Sequence, residues 1–98
     1  MVNNKYSRFV KLTPIRKKLT VEDSRFEFVA EDKTYERVLV QNFGAYPAYV
    51  YLNNNSEAVL VADNLPLDVE IPIEKVRVEL PLDRYQECEA EVQIVLFR

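Results

Sequence analysis

The main pattern along this chain is alternation of apolar and polar residues with a period of two. Leu65, Leu67, Val69, Ile71 and Ile73 are separated by Pro66, Asp68, Glu70 and Pro72, which predicts a strand over 65–73. The parity then reverses, and Val76, Val78, Leu80 and Leu82 alternate with Arg77, Glu79 and Pro81. A shift of one residue sends the opposite side chains inward, so the reversal at Glu74-Lys75 requires a tight turn or bulge between two strands. Further strands are predicted over 25–29, where Phe26 and Phe28 share a face, and over 35–43, rich in β-branched and aromatic residues. Over 47–52, Ala48, Val50 and Leu52 oppose Tyr49 and Tyr51. A short buried run is expected over 58–62, and 90–97 places Val92, Ile94 and Leu96 on one face. Segments 7–12 and 18–21 are weaker strand candidates.

Turn chemistry separates these runs. Asn53-Asn54-Asn55-Ser56 reads as a hairpin loop, because Asn tolerates positive φ. Gly44, Asp63-Asn64 and Glu31-Asp32-Lys33 mark three more turns. Pro72 cannot donate to a central ladder, so its strand belongs at a sheet edge. Residues 82–91 admit either one helical turn capped by Asp83 or a long loop joining two sheets. Strands at this spacing predict an all-β fold, a jelly-roll-like two-sheet β-sandwich of about seven strands. The sandwich is expected over 21–98, behind an extended basic N-terminal arm over 1–20. Its core would draw on Phe26, Phe28, Val38, Val40, Val50, Leu52, Val59, Val61, Val69, Ile71, Val76, Val78, Val92, Ile94 and Leu96.

A chain of 98 residues corresponds to one domain, and 48% apolar content is enough for a core. Abundant Lys and Glu with a single Gly resembles the balance of heat-adapted proteins. Charge adds a stronger feature. Lys5, Arg8, Lys11, Arg16, Lys17 and Lys18 precede the first acidic residue, so residues 1–21 carry a formal +6. The remainder holds seven basic and sixteen acidic residues, a formal −9. A positive arm on a negative body is suited to gripping another copy or an acidic partner. Three readings of the arm compete: a solvated tail, a reach over the acidic surface of a neighbouring copy, and contact with nucleic-acid phosphates. Tyr6 and Phe9 among Lys5, Arg8 and Lys11 suit the third reading, and the acidic body opposes it. Thr13-Pro14 suggests an extended segment that is not a regular element.

Most catalytic chemistry is excluded. Without His, neither Ser-His-Asp nor Cys-His arrangements can be built, and common zinc sites are out. One Gly cannot form a phosphate-cradling loop. The single Cys88 rules out an internal disulfide and reads as a small buried or semi-buried thiol whose pKa the flanking Glu87 and Glu89 would raise. Glu87, Glu89 and Glu91, like Asp68 and Glu70, read as solvated strand faces. No cofactor is expected. No run approaches the roughly 20 apolar residues of a membrane helix, and residues 1–18 lack a signal-peptide pattern, so synthesis in a cytoplasm is expected. Tyr46, Tyr49 and Tyr51 give strand 47–52 apolar or aromatic groups on both faces, which points to a subunit interface or to phenols reaching solvent past a neighbour.

The segment 38–52, with Asn42, Gly44 and Pro47 at its turn and alternating strands after it, resembles small β-sandwich virion proteins of bacteriophages and related viruses. The basic arm and Gly-poor loops depart from that pattern. The resemblance implies a non-enzymatic decoration, capsid-associated or tail-type protein, resident in the virion, that binds its own copies or a capsid lattice. Lys5, Arg8, Lys11, Arg16, Lys17, Lys18, Tyr46, Tyr49 and Tyr51 are the candidate interface residues. The alternative function is a nucleic-acid-binding accessory protein acting through the arm.

Overall fold

The computed structural model describes residues 12–98. Eight strands form: β1 (Leu12–Leu19), β2 (Arg25–Val29), β3 (Arg37–Asn42), β4 (Ala48–Leu52), β5 (Val59–Val61), β6 (Leu67–Val69), β7 (Lys75–Glu79) and β8 (Ala90–Phe97). They build two antiparallel four-stranded sheets, ordered β1-β8-β3-β6 and β2-β7-β4-β5. This is the strand order of an eight-stranded jelly roll.

The strand beyond the expected seven is β1, which comes from the stretch assigned to the arm. All eight of its residues pair with β8, from Leu12 opposite Phe97 to Leu19 opposite Ala90. Leu19 is fully buried, and Ile15 packs against the core. Thr13-Pro14 therefore lies inside a regular element. Pro14 is tolerated because β1 is an edge strand, with one side free of ladder bonds. The sandwich thus begins at Leu12 among the described residues, not at residue 21.

The parity reversal marks a change of sheet. β6 belongs with β3, β7 belongs with β4, and the chain crosses between the layers over 70–74. Asn53 fixes that crossing. Its backbone takes φ 57°, its amide donates to the Pro72 carbonyl at 2.9 Å, and its Oδ1 accepts from Glu74 N at 2.7 Å. The expected strand 65–73 contracts to Leu67–Val69, with isolated bridges at Leu65 and Ile73. It lies at a sheet edge, as Pro72 indicated. Residues 80–89 form the loop between sheets. Arg84 N and Tyr85 N both bond to the Pro81 carbonyl, and no helix forms.

The core lies between the layers. Val38, Val40, Val50, Leu52, Val61, Val76, Val78, Val92, Ile94 and Leu96 are buried as expected. Each such side chain contributes about 1.5–3 kcal/mol before entropy is counted. Phe26, Phe28 and Val69 pack from the periphery. Val59 and Ile71 are exposed, because their segments run along the rim of the sandwich and past the end of a three-residue edge strand. The run 58–62 accordingly buries Val61 and leaves Val59 and Leu60 outside. Leu19, Tyr35, Ile73, Leu80 and Cys88 complete the core. On the outer side of the first sheet, Arg37 grips Asp68 through two bonds of 2.8 and 2.6 Å and lies over the Phe97 ring, tying edge strand β6 to β3.

A second asparagine closes the end of β3. Buried Asn42 donates to the carbonyls of Tyr46 (2.8 Å) and Val61 (3.1 Å) and accepts from Gly44 N (2.9 Å). Gly44 is required here for space and not for φ, since a Cβ would meet Ala90 Cα at 3.0 Å. Replacing Asn42 with Ala orphans these partners and should cost about 1–3 kcal/mol, read as a lower urea midpoint with unchanged slope. An unshifted midpoint would contradict this role.

Candidate protein-binding end

The nine candidate interface residues fall in different places. Lys5, Arg8 and Lys11 lie outside the described residues. Arg16, Lys17 and Lys18 are on β1, and each meets a carboxylate of its own chain. Arg16 Nε is 3.3 Å from Glu91, its Nη1 donates to Gln93 Oε1 at 3.3 Å, and its guanidinium lies 4.4 Å from the Phe43 ring centre. Lys17 Nζ is 2.8 Å from Asp23, and Lys18 Nζ is 4.0 Å from Glu89. Exposed pairs of this kind contribute only about 0–1 kcal/mol each, but they balance the positive charge of the triplet locally. Of the three glutamates expected on one solvated strand face, Glu91 lies on β8 and pairs with β1, while Glu87 and Glu89 sit in a loop.

The tyrosines also separate. Tyr49 and Tyr51 stand half-buried on the outer face of the β2-β7-β4-β5 sheet, opposite Glu79 and Arg77 of β7. Glu79 lies between Arg25 (3.0 Å) and Arg77 (3.2 Å), the second a charge contact without hydrogen-bond geometry. The Arg77 guanidinium lies over the Tyr51 ring at 4.2 Å. Charged neighbours therefore cap this outer face. Tyr46 instead sits in the turn after β3, edge-on to Tyr85 with ring centres 5.4 Å apart.

That aromatic pair belongs to a larger surface. The odd-numbered strands end, and the even-numbered strands begin, at one end of the sandwich. Four connections therefore meet there: 20–24, 43–47, 62–66 and 80–89. They carry Val21, Phe43, Tyr46, Leu65, Leu82 and Tyr85, six of the eleven large apolar residues exposed among the described residues. The same loops hold Glu22, Asp23, Asp63, Asp83, Glu87 and Glu89 against one basic residue, Arg84. An open groove of about 670 Å³ runs between Val21-Glu22, Tyr46 and Gln86-Glu87. A second, of about 360 Å³, adjoins it at Tyr46 and Glu89 and extends past Phe43. At the opposite end a groove of about 380 Å³ is lined by Glu31, Asp32, Asn53 and Asn54 among others. Alternation along strands gives no sign of this cluster. The apolar residues inside turn sequences, Val21-Glu22-Asp23 and Leu82-Asp83-Arg84-Tyr85, were the available signal.

Cys88 lies under the larger groove and is buried. Burial, and not its flanking glutamates, pushes its thiol pKa up. Among the described residues no cluster of three or more His, Cys, Asp or Glu could hold a metal ion, and no helix is long and apolar enough to cross a membrane.

No protein-family model and no curated protein sequence matches the chain. Among solved structures it is similar to PliG of Aeromonas hydrophila, a periplasmic inhibitor of g-type lysozyme, with a TM-score of 0.55 at 13% identity, covering 99% of this chain and 93% of that one. It also matches the Drosophila NLP core, a structure bearing on pentamer formation and histone binding, with a TM-score of 0.46 at 13% identity, covering 86% of this chain and 95% of that one. At this identity the likeness to PliG is one of fold.

Burial of Cys88 should make its reaction with a thiol reagent at neutral pH much slower in the folded protein than in the urea-unfolded chain. Its raised pKa gives stability that is full below the thiol's unfolded value and is lost as pH rises through the folded one. Labelling at equal rates in both states would contradict the burial.

Proposed function

We propose that this chain is a non-enzymatic structural protein that works by binding protein surfaces, its own copies first, through its loop-built end. The observation that carries this reading is the gathering of Val21, Phe43, Tyr46, Leu65, Leu82 and Tyr85 onto the loops of one end, whose grooves also present Glu22, Glu87, Glu89 and Glu91. Exposed apolar groups cost solubility, and a contiguous apolar surface edged by charge marks a contact. Connections at the end of a rigid sandwich are where such scaffolds place recognition. The virion setting draws on the strand-and-turn resemblance and on the use of jelly rolls by capsid domains, which is an analogy of fold.

Nucleic-acid binding has less support. The basic residues on β1 are each matched by carboxylates of their own chain, and the loop end is acidic. Of the six basic residues near the start of the chain, that leaves Lys5, Arg8 and Lys11, which lie outside the described residues.

Sedimentation at rising protein concentration tests the reading. A mass that grows with concentration is expected, and Leu82→Ser with Tyr85→Ser should weaken the growth by about tenfold or more. A single-copy mass at every concentration, or gel retardation of DNA at low salt that is lost on charge reversal at Lys5, Arg8 and Lys11, would reverse the order of the two functions.

A further inference from the structure

The loop end also defines what it can accept. Its grooves present Val21, Phe43 and Tyr46 beside Glu22, Glu87, Glu89 and Glu91, with Lys18 as the one basic residue along the smaller groove and Tyr85 packed edge-on to Tyr46. A matching occupant alternates basic and apolar residues and carries no acid. One stretch of this chain has that composition: Lys5-Tyr6-Ser7-Arg8-Phe9-Val10-Lys11. Cations favour both the carboxylates and the faces of the tyrosines, while Tyr6, Phe9 and Val10 suit the apolar positions.

Reach decides whose segment can arrive. Leu12 lies at the far end of the molecule, and Leu19 lies beside the groove. The strand between them is about 24 Å long at ~3.4 Å per residue step. A segment doubled back from Leu12 along its own molecule advances no faster. Arg8 would stop about 14 Å along, and Lys11 about 3 Å along. Lys5 would draw level with Leu19 only if no residue were spent on the reversal. In its own molecule Arg8 and Lys11 therefore fall short of the groove and Lys5 reaches it only with no residue spent on the reversal, whereas a second molecule stacked beyond that end meets no such limit.

We infer that the grooved loop end of one copy receives residues 5–11 of a second copy, so that molecules join head to tail. This rests on the self-association reading above and gives it a site and an occupant. Giver and receiver lie at opposite ends, so the contact is heterologous. With the molecules stacked end to end, repetition yields a closed ring or an open filament; a two-fold pair would instead need them side by side and antiparallel, exchanging both arms. The contact mixes ionic and apolar groups, so added salt weakens it without abolishing it.

The test compares the full-length protein with a variant lacking residues 2–11, a groove variant with Glu22→Lys and Glu87→Lys, and an arm variant with Lys5→Glu, Arg8→Glu and Lys11→Glu. The substituted groove positions are exposed, and matching thermal melts establish that each variant folds. By sedimentation velocity, the full-length protein should grow past a dimer, and each variant alone should need roughly 30-fold or more protein to do so. Mixing the shortened variant with the groove variant should give one-to-one pairs and nothing larger, because one keeps only its groove and the other only its arm. Combining the groove and arm reversals in one chain should restore growth. A labelled peptide of residues 1–11 should bind the shortened variant and lose that binding when the groove reversals are added. Growth of the groove variant at the full-length concentration, or equal peptide binding with and without the reversals, overturns the inference and leaves self-association standing. A full-length protein that is single at all concentrations overturns both.

Discussion

Val38, Val40, Val92, Ile94 and Leu96 of one sheet face Val50, Leu52, Val61, Val76 and Val78 of the other, and the burial of these residues is the interaction on which the rest depends. A sheet of this size is not stable with its apolar face in water, and two such sheets cover one another. Short connections must then carry the chain from layer to layer while keeping every inward position inward. The parity reversal between β6 and β7 serves that requirement, since a strand entering the opposite layer must present the other set of side chains to the same core. Asn53 holds the crossing by bonding to both sides of it, and Asn42 holds the far end by joining β3, its turn and β5.

The charge separation along the chain is partly met inside the folded molecule. Within one copy, β1 lies against β8 and brings Arg16 and Lys18 to the acidic residues Glu91 and Glu89, while Lys17 meets Asp23. These contacts are weak individually in water, yet they offset the repulsion that six carboxylates on the loops would otherwise impose. Ladder bonds and the burial of Leu19 fix β1 in place, and the ion pairs follow from that placement.

Recognition and stability occupy different parts of the molecule. Charged cross-strand neighbours cap the tyrosines of β4 on the outer sheet face, where Arg77 covers Tyr51. Six of the exposed aromatic and aliphatic groups collect on the loops that the jelly-roll order brings to one end. Loops can carry such residues because the core does not depend on them. Tyr46 belongs to this second group despite its closeness in sequence to Tyr49 and Tyr51: it precedes the strand and so escapes the alternation that orients the other two.

The strands other than β1, their inward residues and the all-β class were legible from the sequence, because alternation, β-branched residues and turn residues are local signals. The same local logic placed β6 at an edge through Pro72, whereas over 82–91 it left a helical turn and a loop open, and the structure has the loop. β1 was hidden because three consecutive basic residues and Pro14 obscure its alternation; an edge strand beside β8 tolerates both, since half of it stays in water. The loop end was hidden because Val21, Phe43, Leu65, Leu82 and Tyr85 are far apart in the chain. By itself the sequence determined which residues turn inward and where the chain turns, since both follow from neighbours a few positions away. Only the tertiary structure decided which strands share a layer, which cations meet which carboxylates, and that four separate turns form one surface, because strand pairing joins residues that no local pattern relates.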